Sequence, residues 1–305
     1  MYVKIFSFVK FGKSVHLLAK RKKERHILIN LLKNQSKIKI LHHDQLKPMK
    51  KLKSRLRNGE TLHGCWLNLG SSLTAEIVGL SGFDWVLIDL EHGAGSEKEA
   101  LAQMQGLQHT PAGIIVRVES AEPQRIHRVL DMGAEGVMCP KINNLAEAKK
   151  VVNGLYYPPM GQRGVAKMVR ATQFAQNFQS YYETSQENIL GIVQIETKEV
   201  LNHVDEIANL DGVDVLFIGP ADLSMELGIF GQFNHPEFLA AVEKTIKAAN
   251  KAGKATGILF FNPDEYSKYH QMGIRFIACG ADATFVADGA KNMVEKLAKL
   301  RSQAS

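Results

Sequence analysis

Cysteine is scarce: the 305-residue chain has three, Cys65, Cys139 and Cys279, each inside an apolar run. They are too few and too scattered for a disulfide framework or a zinc cluster, which points to a reducing, cytoplasmic compartment. Long apolar stretches are missing as well, since none reaches the roughly 18 uninterrupted residues of a membrane-spanning helix. No glycine-rich dinucleotide fingerprint follows the first strand pattern, which speaks against an open doubly wound sheet. Acid is nearly missing from the first 48 residues, which hold twelve lysines and arginines against Glu24 and Asp44, a net of +10. The other 257 residues carry 26 basic and 29 acidic side chains, so the formal charge of +7 belongs to the head and the rest is mildly acidic. With 45% hydrophobic and 23% charged residues, that remainder has globular composition.

Residues 1–48 contain the run Lys20, Arg21, Lys22, Lys23, Glu24, Arg25 and show no clear apolar period, and they read as a basic, disordered extension. Lys4, Lys10 and Lys13 interrupt the apolar core that a secretory signal needs. The scarcity of acid fits an organelle presequence, whereas the lysine bias and few serines do not. A polybasic segment can also touch nucleic acid, but the acidic remainder gives no second surface for it, and nucleic acid is not the expected partner. Met49 opens a coherent amphipathic start running to Leu56, which makes it a candidate natural beginning of the domain at residues 49–305. The neighbours His42 and His43 read as solvated.

From residue 60 onward, short β-branched runs alternate with longer amphipathic stretches, the pattern of a parallel sheet built from βα units. Eight strands are expected: His63 to Leu67, Trp85 to Leu90, Ile114 to Val118, Gly136 to Cys139, Ile189 to Ile195, Val213 to Ile218, Ala255 to Phe260 and Phe276 to Cys279. Helical patterns lie between them, among them Leu73 to Leu80, Pro123 to Met132 and Thr284 to Leu300. Eight such pairs match an α/β fold of the (β/α)8 TIM barrel type. One connection, Gly154 to Glu187, is far longer than the usual 4 to 6 residues or so, and it carries Arg163 and Arg170. Two readings of it stand side by side: a turn presenting cations near a barrel opening, or a helical excursion that packs between subunits.

In this fold chemistry gathers where strands end. Strand two runs into Asp89, Leu90, Glu91, His92; strand three ends Val116, Arg117, Val118; strand five ends Gln194, Ile195, Glu196, Thr197; and strand six leads into Gly219, Pro220, Ala221, Asp222. A guanidinium flanked by valines needs an anionic partner, whether a ligand or a structural carboxylate. The turn after strand six leads towards a helix start with free backbone N–H groups able to hold an anion. Glu196 and Asp222, with open positions for water and substrate oxygens, suit a hard divalent cation such as Mg2+, Mn2+ or Co2+. Beside Arg117 and a histidine, that set suits enolate chemistry.

At these residues the sequence resembles the HpcH/HpaI aldolase family, metal-dependent pyruvate aldolases with a barrel of the phosphoenolpyruvate/pyruvate type. The likeness runs through Gly82, Phe83, Asp84, Trp85 to His92, through Val193 to Thr197, and through Ile218 to Leu223. The resemblance implies a catalytic base at His92, a transition-state arginine at Arg117 and, at Asp131, a carboxylate that raises the histidine's basicity. It places the metal on Glu196 and Asp222, and the pyruvate unit against Gln194 and the backbone of Ala221 and Asp222. It further implies cleavage of a 2-keto-4-hydroxy or 2-keto-3-deoxy acid to pyruvate and an aldehyde through a metal-bound enolate. The implied assembly is a hexamer, a trimer of dimers exchanging the helix Thr284 to Leu300. Lys141 departs from the pattern, which expects methionine there. A desolvated lysine at a strand end would instead serve a Schiff-base aldolase, although Glu196 and Asp222 would then have no role. Further alternatives are an acyl-CoA carbon–carbon lyase of the citrate lyase beta and malyl-CoA lyase type, and a non-catalytic barrel whose basic head binds nucleic acid.

Overall fold

A computed structural model describes residues 52–304, together with the backbone of Lys10–Phe11 and Ser14–Val15. The chain divides into two units, Met1–Met49 and Lys50–Ser305. In the first, Lys10–Phe11 pairs antiparallel with Ser14–Val15. The readings of residues 1–48 as an extension, of Met49 as a start and of His42 and His43 otherwise lie outside the described residues.

In the second unit, eight parallel strands close into a barrel in sequence order. They are β1 (Leu62–Leu67), β2 (Trp85–Asp89), β3 (Gly113–Arg117), β4 (Gly136–Cys139), β5 (Leu190–Ile195), β6 (Val215–Ile218), β7 (Ala255–Phe260) and β8 (Phe276–Ala281). The last strand pairs back onto the first, Phe276 opposite Leu62. The helices are α1 (Leu52–Arg57), α2 (Ser72–Leu80), α3 (Glu97–Gly106), α4 (Pro123–Met132), α5 (Leu145–Leu155), α6 (Phe178–Asn188), α7 (Val200–Ala208), α8 (Pro220–Glu226), α9 (Pro236–Lys251), α10 (Tyr266–Met272) and α11 (Asp282–Ala304). Every strand expected from the sequence is present, with its ends moved by no more than two residues.

The two-residue period of a strand decides what fills the barrel. Trp85 and Leu87 point inward, to a core with Ile115, Met138, Leu190, Ile192 and Phe217. Their neighbours Val86 and Ile88 point outward, to the layer shared with the helices, along with Ile114, Val116, Val137 and Val193. Carried one step further, the same alternation brings Asp89, Arg117 and Gln194 to the inner face at the carboxyl ends. Trp85 lies flat on Phe276, ring centroids 3.9 Å apart. A Cβ at residue 64 would sit 2.1 Å from the Trp85 ring, so the close approach there requires Gly64.

The amino-terminal end of the barrel is closed by one buried cation. The Lys53 ammonium of α1 lies 3.0 Å from the Asp214 carboxylate. It also donates to the Tyr156 hydroxyl at 3.1 Å and to the carbonyls of Gln186 and Ile189 at 3.0 Å. Burial holds its pKa below the usual lysine value even with Asp214 beside it. A cavity of about 450 Å³ opens next to this clasp, lined in part by Asp214, Lys254 and Arg275.

The long connection between β4 and β5 forms a 3-10 turn at Arg170–Thr172 and then α6. The connection does make a helical excursion, and neither guanidinium faces the carboxyl ends of the strands. Arg163 is buried and pairs with Asp131 at 2.7 Å, with the Tyr181 hydroxyl at 3.0 Å. Arg170 donates to the carbonyls of Met132 at 2.8 Å and Met104 at 3.4 Å, which lie near the ends of α4 and α3. Both arginines bind helix ends that return to the bottom of the barrel. Among the described residues no helix is long and apolar enough to cross a membrane. The 23-residue α11 buries only Asp282, and Phe285, Val286, Met293, Val294, Leu297 and Leu300 on it are exposed.

Replacing Lys53 with methionine leaves Asp214 buried without its ammonium partner, and the expected loss is about 3 kcal/mol of folding stability. Urea unfolding checks this, and a midpoint equal to that of the parent protein would show that the clasp carries no stability.

Candidate active site

Four strand ends meet at one mouth. Arg117, the last residue of β3, donates from Nε to Asp89 Oδ1 at 2.9 Å and from Nη2 to Asp89 Oδ2 at 2.7 Å. Its Nη1 lies 3.1 Å from Glu91 Oε2. The guanidinium also sits over the Trp66 ring, 5.7 Å from the centroid. The anionic partner that this arginine requires is therefore Asp89, helped by Glu91, neither of which carried a role in the sequence reading. Burial works against the Arg117 charge, but the bonds to Asp89 and the fields of Glu91 and Glu196 outweigh it and raise its pKa above the usual arginine value.

Asp89 is held in turn from outside the arginine. Asn68, just past β1, donates to Asp89 Oδ2 at 2.9 Å. The backbone N–H of Asn68 donates to Asp282 at 2.7 Å, and Asp282 also accepts from the Thr74 hydroxyl at 2.8 Å. The start of α11 is thereby linked to the arginine through three polar side chains.

Glu196 follows β5 and is 3% exposed. Its Oε1 accepts the backbone N–H of Lys141 at 2.6 Å, and its Oε2 accepts Gln194 Nε2 at 2.7 Å. Gln194 Oε1 is buried and has no partner. A Cβ on residue 219 would lie 2.7 Å from Glu196 Oε2, so Gly219 is the residue that lets the end of β6 pass this carboxylate. Burial first, then the neighbouring carboxylates Asp222 and Glu91, push the Glu196 carboxyl up to about 7 against the pull of the Lys141 N–H and Arg117. Asp222 and Ala221 lie in the first turn of α8, whose N–H groups have no partner within the helix. Glu196 and Asp222 share a cleft of about 230 Å³ with Lys141, Asn143, Thr197 and Glu226.

His92 stands at the rim with its side chain 64% exposed and Nε2 3.8 Å from Glu91 Oε1. Asp131 is not with it. It is the penultimate residue of α4, which returns from the mouth to the amino-terminal end of the barrel, and its carboxylate pairs with Arg163. One chain therefore assembles His92, Arg117, Gln194, Ala221, Glu196 and Asp222 but leaves Asp131 at the far end. The amine of Lys141 is 72% exposed and 3.8 Å from Glu91, so the desolvation that a Schiff-base lysine needs is missing.

The oxygen donors suit a hard cation. Burial first, with Asp222 and Glu91 adding to it, lets the Glu196 carboxyl keep a proton up to about 7, and the Gln194 carbonyl oxygen beside it is unsatisfied. Cys139, the nearest thiol in sequence, is wholly buried in the outward layer. Among the described residues no group of three or more His, Cys, Asp or Glu side chains forms a closed metal cage. A cation on the two carboxylates would keep positions open for water and substrate.

The model of the family described as HpcH/HpaI aldolase/citrate lyase matches residues 62–289. A hydroxypyruvate/pyruvate aldolase of Roseobacter denitrificans is 39% identical over 250 residues, 82% of this chain and 97% of that protein. A 4-hydroxy-2-oxo-heptane-1,7-dioate aldolase of Klebsiella pneumoniae is 38% identical over 244 residues, 80% of this chain and 92% of that protein. Among solved structures, an HpcH/HpaI aldolase/citrate lyase family protein of Burkholderia cenocepacia superposes with a TM-score of 0.77 at 35% identity, over 81% of this chain and 98% of that one.

In the metal-free protein, the raised Glu196 pKa makes the folded state bind a proton more tightly than the unfolded chain does. Its stabilising contribution is fully present below the ordinary 4.5 and is lost as pH rises through about 7. The melting temperature should fall over that window by the equivalent of about 3 kcal/mol at most. Glu196→Gln should flatten this fall; a variant that keeps the parent slope would remove Glu196 as its source.

Proposed function

The chain belongs to the HpcH/HpaI aldolase/citrate lyase family, and from that premise we propose that it is an aldehyde-lyase that splits a 2-keto-4-hydroxy or 2-keto-3-deoxy acid into pyruvate and an aldehyde, or joins them. The convergence of Arg117, Gln194, Glu196 and Asp222 on one mouth, with the guanidinium locked by Asp89, carries this reading. Glu196 and Asp222 would hold a divalent cation, Mg2+, Mn2+ or Co2+, which polarises the keto oxygen and offsets negative charge in the transition state.

In the cleavage direction, the C4 hydroxyl loses its proton to His92 and becomes the aldehyde oxygen as the C3–C4 bond breaks. The bonding pair moves to C3 and C2, and negative charge develops on the C2 oxygen. Arg117, already oriented by Asp89 and Glu91, presents its remaining N–H groups to that oxygen without reorganising. A proton then returns to C3, giving pyruvate. Gln194 and the N–H groups of Ala221 and Asp222 hold the pyruvate unit.

Asp131 is the carboxylate that orients His92, and because α4 carries it to the opposite end of its own barrel, it serves the His92 of a second copy. The exposed apolar residues of α11 supply a surface for such assembly, in which the hexamer of paired chains is the arrangement we favour. The acyl-CoA lyase alternative is the weaker one, because relatives near 39% identity carry aldolase names.

Pyruvate release from a panel of 2-keto-3-deoxy sugar acids and 4-hydroxy-2-keto diacids tests the assignment. Activity should disappear with EDTA and return with Mg2+, Mn2+ or Co2+, and Arg117→Lys should lower kcat by about a hundredfold or more. Pyruvate from none of the compounds under any metal would overturn the reading. His92→Ala and Asp131→Ala, each inactive alone, should regain part of the parent activity when unfolded and refolded together. If the mixture stays inactive while either variant assembles normally, Asp131 has no place at His92.

A further inference from the structure

Chemistry in a barrel of this kind gathers at the carboxyl ends of the strands, yet in this chain the opposite end carries more positive charge than its carboxylate requires. Lys254 stands immediately before β7 and Arg275 immediately before β8, and both side chains are half-buried. With Lys53 and Arg57 of α1 they line the cavity of about 450 Å³ beside the clasp. Asp214 is the one acidic residue in that lining, so four cations face a single carboxylate. That carboxylate is already satisfied: Oδ2 meets the Lys53 ammonium at 3.0 Å and accepts the backbone N–H of Gly191 at 3.0 Å, and Oδ1 lies 3.5 Å from Arg57. Arg275 uses Nη1 on the carbonyls of His270 and Ile274, at 2.9 and 3.1 Å, and the rest of its guanidinium has no partner among the described residues. Among the same residues the Lys254 amine forms no ion pair.

Like charges gathered without partners repel, and the repulsion is felt at Lys53, whose pKa is lowered chiefly by burial and further by Arg57 and Lys254. A clasp that only closes the barrel needs Lys53 and Asp214 and gains nothing from Lys254 and Arg275. Thr256 adds an independent sign. It is the second residue of β7, lines the same cavity and is 2% exposed, and its buried hydroxyl has no hydrogen-bond partner. A hydroxyl withdrawn from water is ordinarily paired. Excess positive charge beside a free hydroxyl suits a phosphate dianion, whose oxygens accept several charge-assisted hydrogen bonds at once. The cavity is larger than a phosphate group, and its lining offers the Asn250 amide but no aromatic ring on which a nucleobase could stack. The adjoining hollow carries Glu183, Glu187 and Asp211, which puts the anion on the Arg275 side. We propose that the amino-terminal end of the barrel holds a second ligand site, for a phosphate monoester with a short polar body such as a sugar phosphate, bound by Lys254, Arg275 and the Thr256 hydroxyl.

Calorimetric titration of the metal-loaded full chain with ribose 5-phosphate, and with ribose as the uncharged control, tests the site. The twelve cations of residues 1–48 attract any phosphate, so the titration is run at about 300 mM salt, where exposed charges are screened. The parent protein should bind ribose 5-phosphate saturably and ribose not at all. Lys254→Met combined with Arg275→Met should raise Kd by about tenfold or more, while Arg117→Lys, at the other end of the barrel, should leave it unchanged. Lys53 and Asp214 are untouched in the double variant, and circular dichroism checks that it folds. A second measurement needs no variant: ribose 5-phosphate should slow acetylation of Lys254 by acetic anhydride several-fold, read by peptide mass spectrometry, with the exposed Lys247 of α9 unaffected. Absence of saturable binding, a double variant within twofold of the parent, loss of binding in Arg117→Lys, or equal protection of Lys254 and Lys247 overturns the inference. Pyruvate release enters none of these outcomes, so the aldolase reading stands or falls separately.

Discussion

A guanidinium inside a barrel mouth can stay charged and fixed only if something anionic meets it on the protein side, and that constraint organises this site. Asp89 supplies both oxygens to Arg117, one strand over and at the same height, because the register of β2 and β3 sets Asp89 opposite Arg117. Parallel pairing and the two-residue period are enough to bring the two side chains to one face. With the arginine's position set by its own barrel, its free N–H groups form a preorganised patch of positive charge rather than a flexible arm.

On the other side of the mouth the balance is reversed. Glu196 has been buried beside another carboxylate and given only partial compensation, through an amide from Lys141 and the side-chain amide of Gln194. A site meant for stability alone would neutralise that charge. Leaving it open gives the mouth an appetite for a cation, and the cost is visible as a carboxyl that retains its proton near neutrality. Gly219 belongs to the same arrangement, since any larger residue would push the end of β6 into that carboxylate.

Much of this was legible from the residue order. Strand positions followed from runs of buried β-branched residues, and Arg117, Gln194 and Glu196 stood out because polar side chains ending such runs face inward by parity. The carboxylate that holds Arg117 was visible but had no assigned work, because a partner across strands depends on register, which the linear sequence does not state. The work of Arg163 and Arg170 stayed open for a related reason: their partners, Asp131 and the ends of α3 and α4, are 32 or more residues away. Asp131 came from resemblance alone, and nothing in its local sequence says that α4 will carry it away from His92. The left-handed backbone of Lys141, with φ of 54°, was equally hidden, since turn propensities would put glycine or asparagine there.

Asp282 is the only buried residue of α11, yet it holds the loop after β1 and through Asn68 reaches Asp89. The longest helix among the described residues is thus attached to the barrel at a residue that is also the outermost anchor of the arginine. A helix of 23 residues runs some 35 Å from that anchor. A shift at the start of that helix would therefore be passed through Asn68 and Asp89 to the seat of the Arg117 guanidinium, although the helix itself lies outside the mouth.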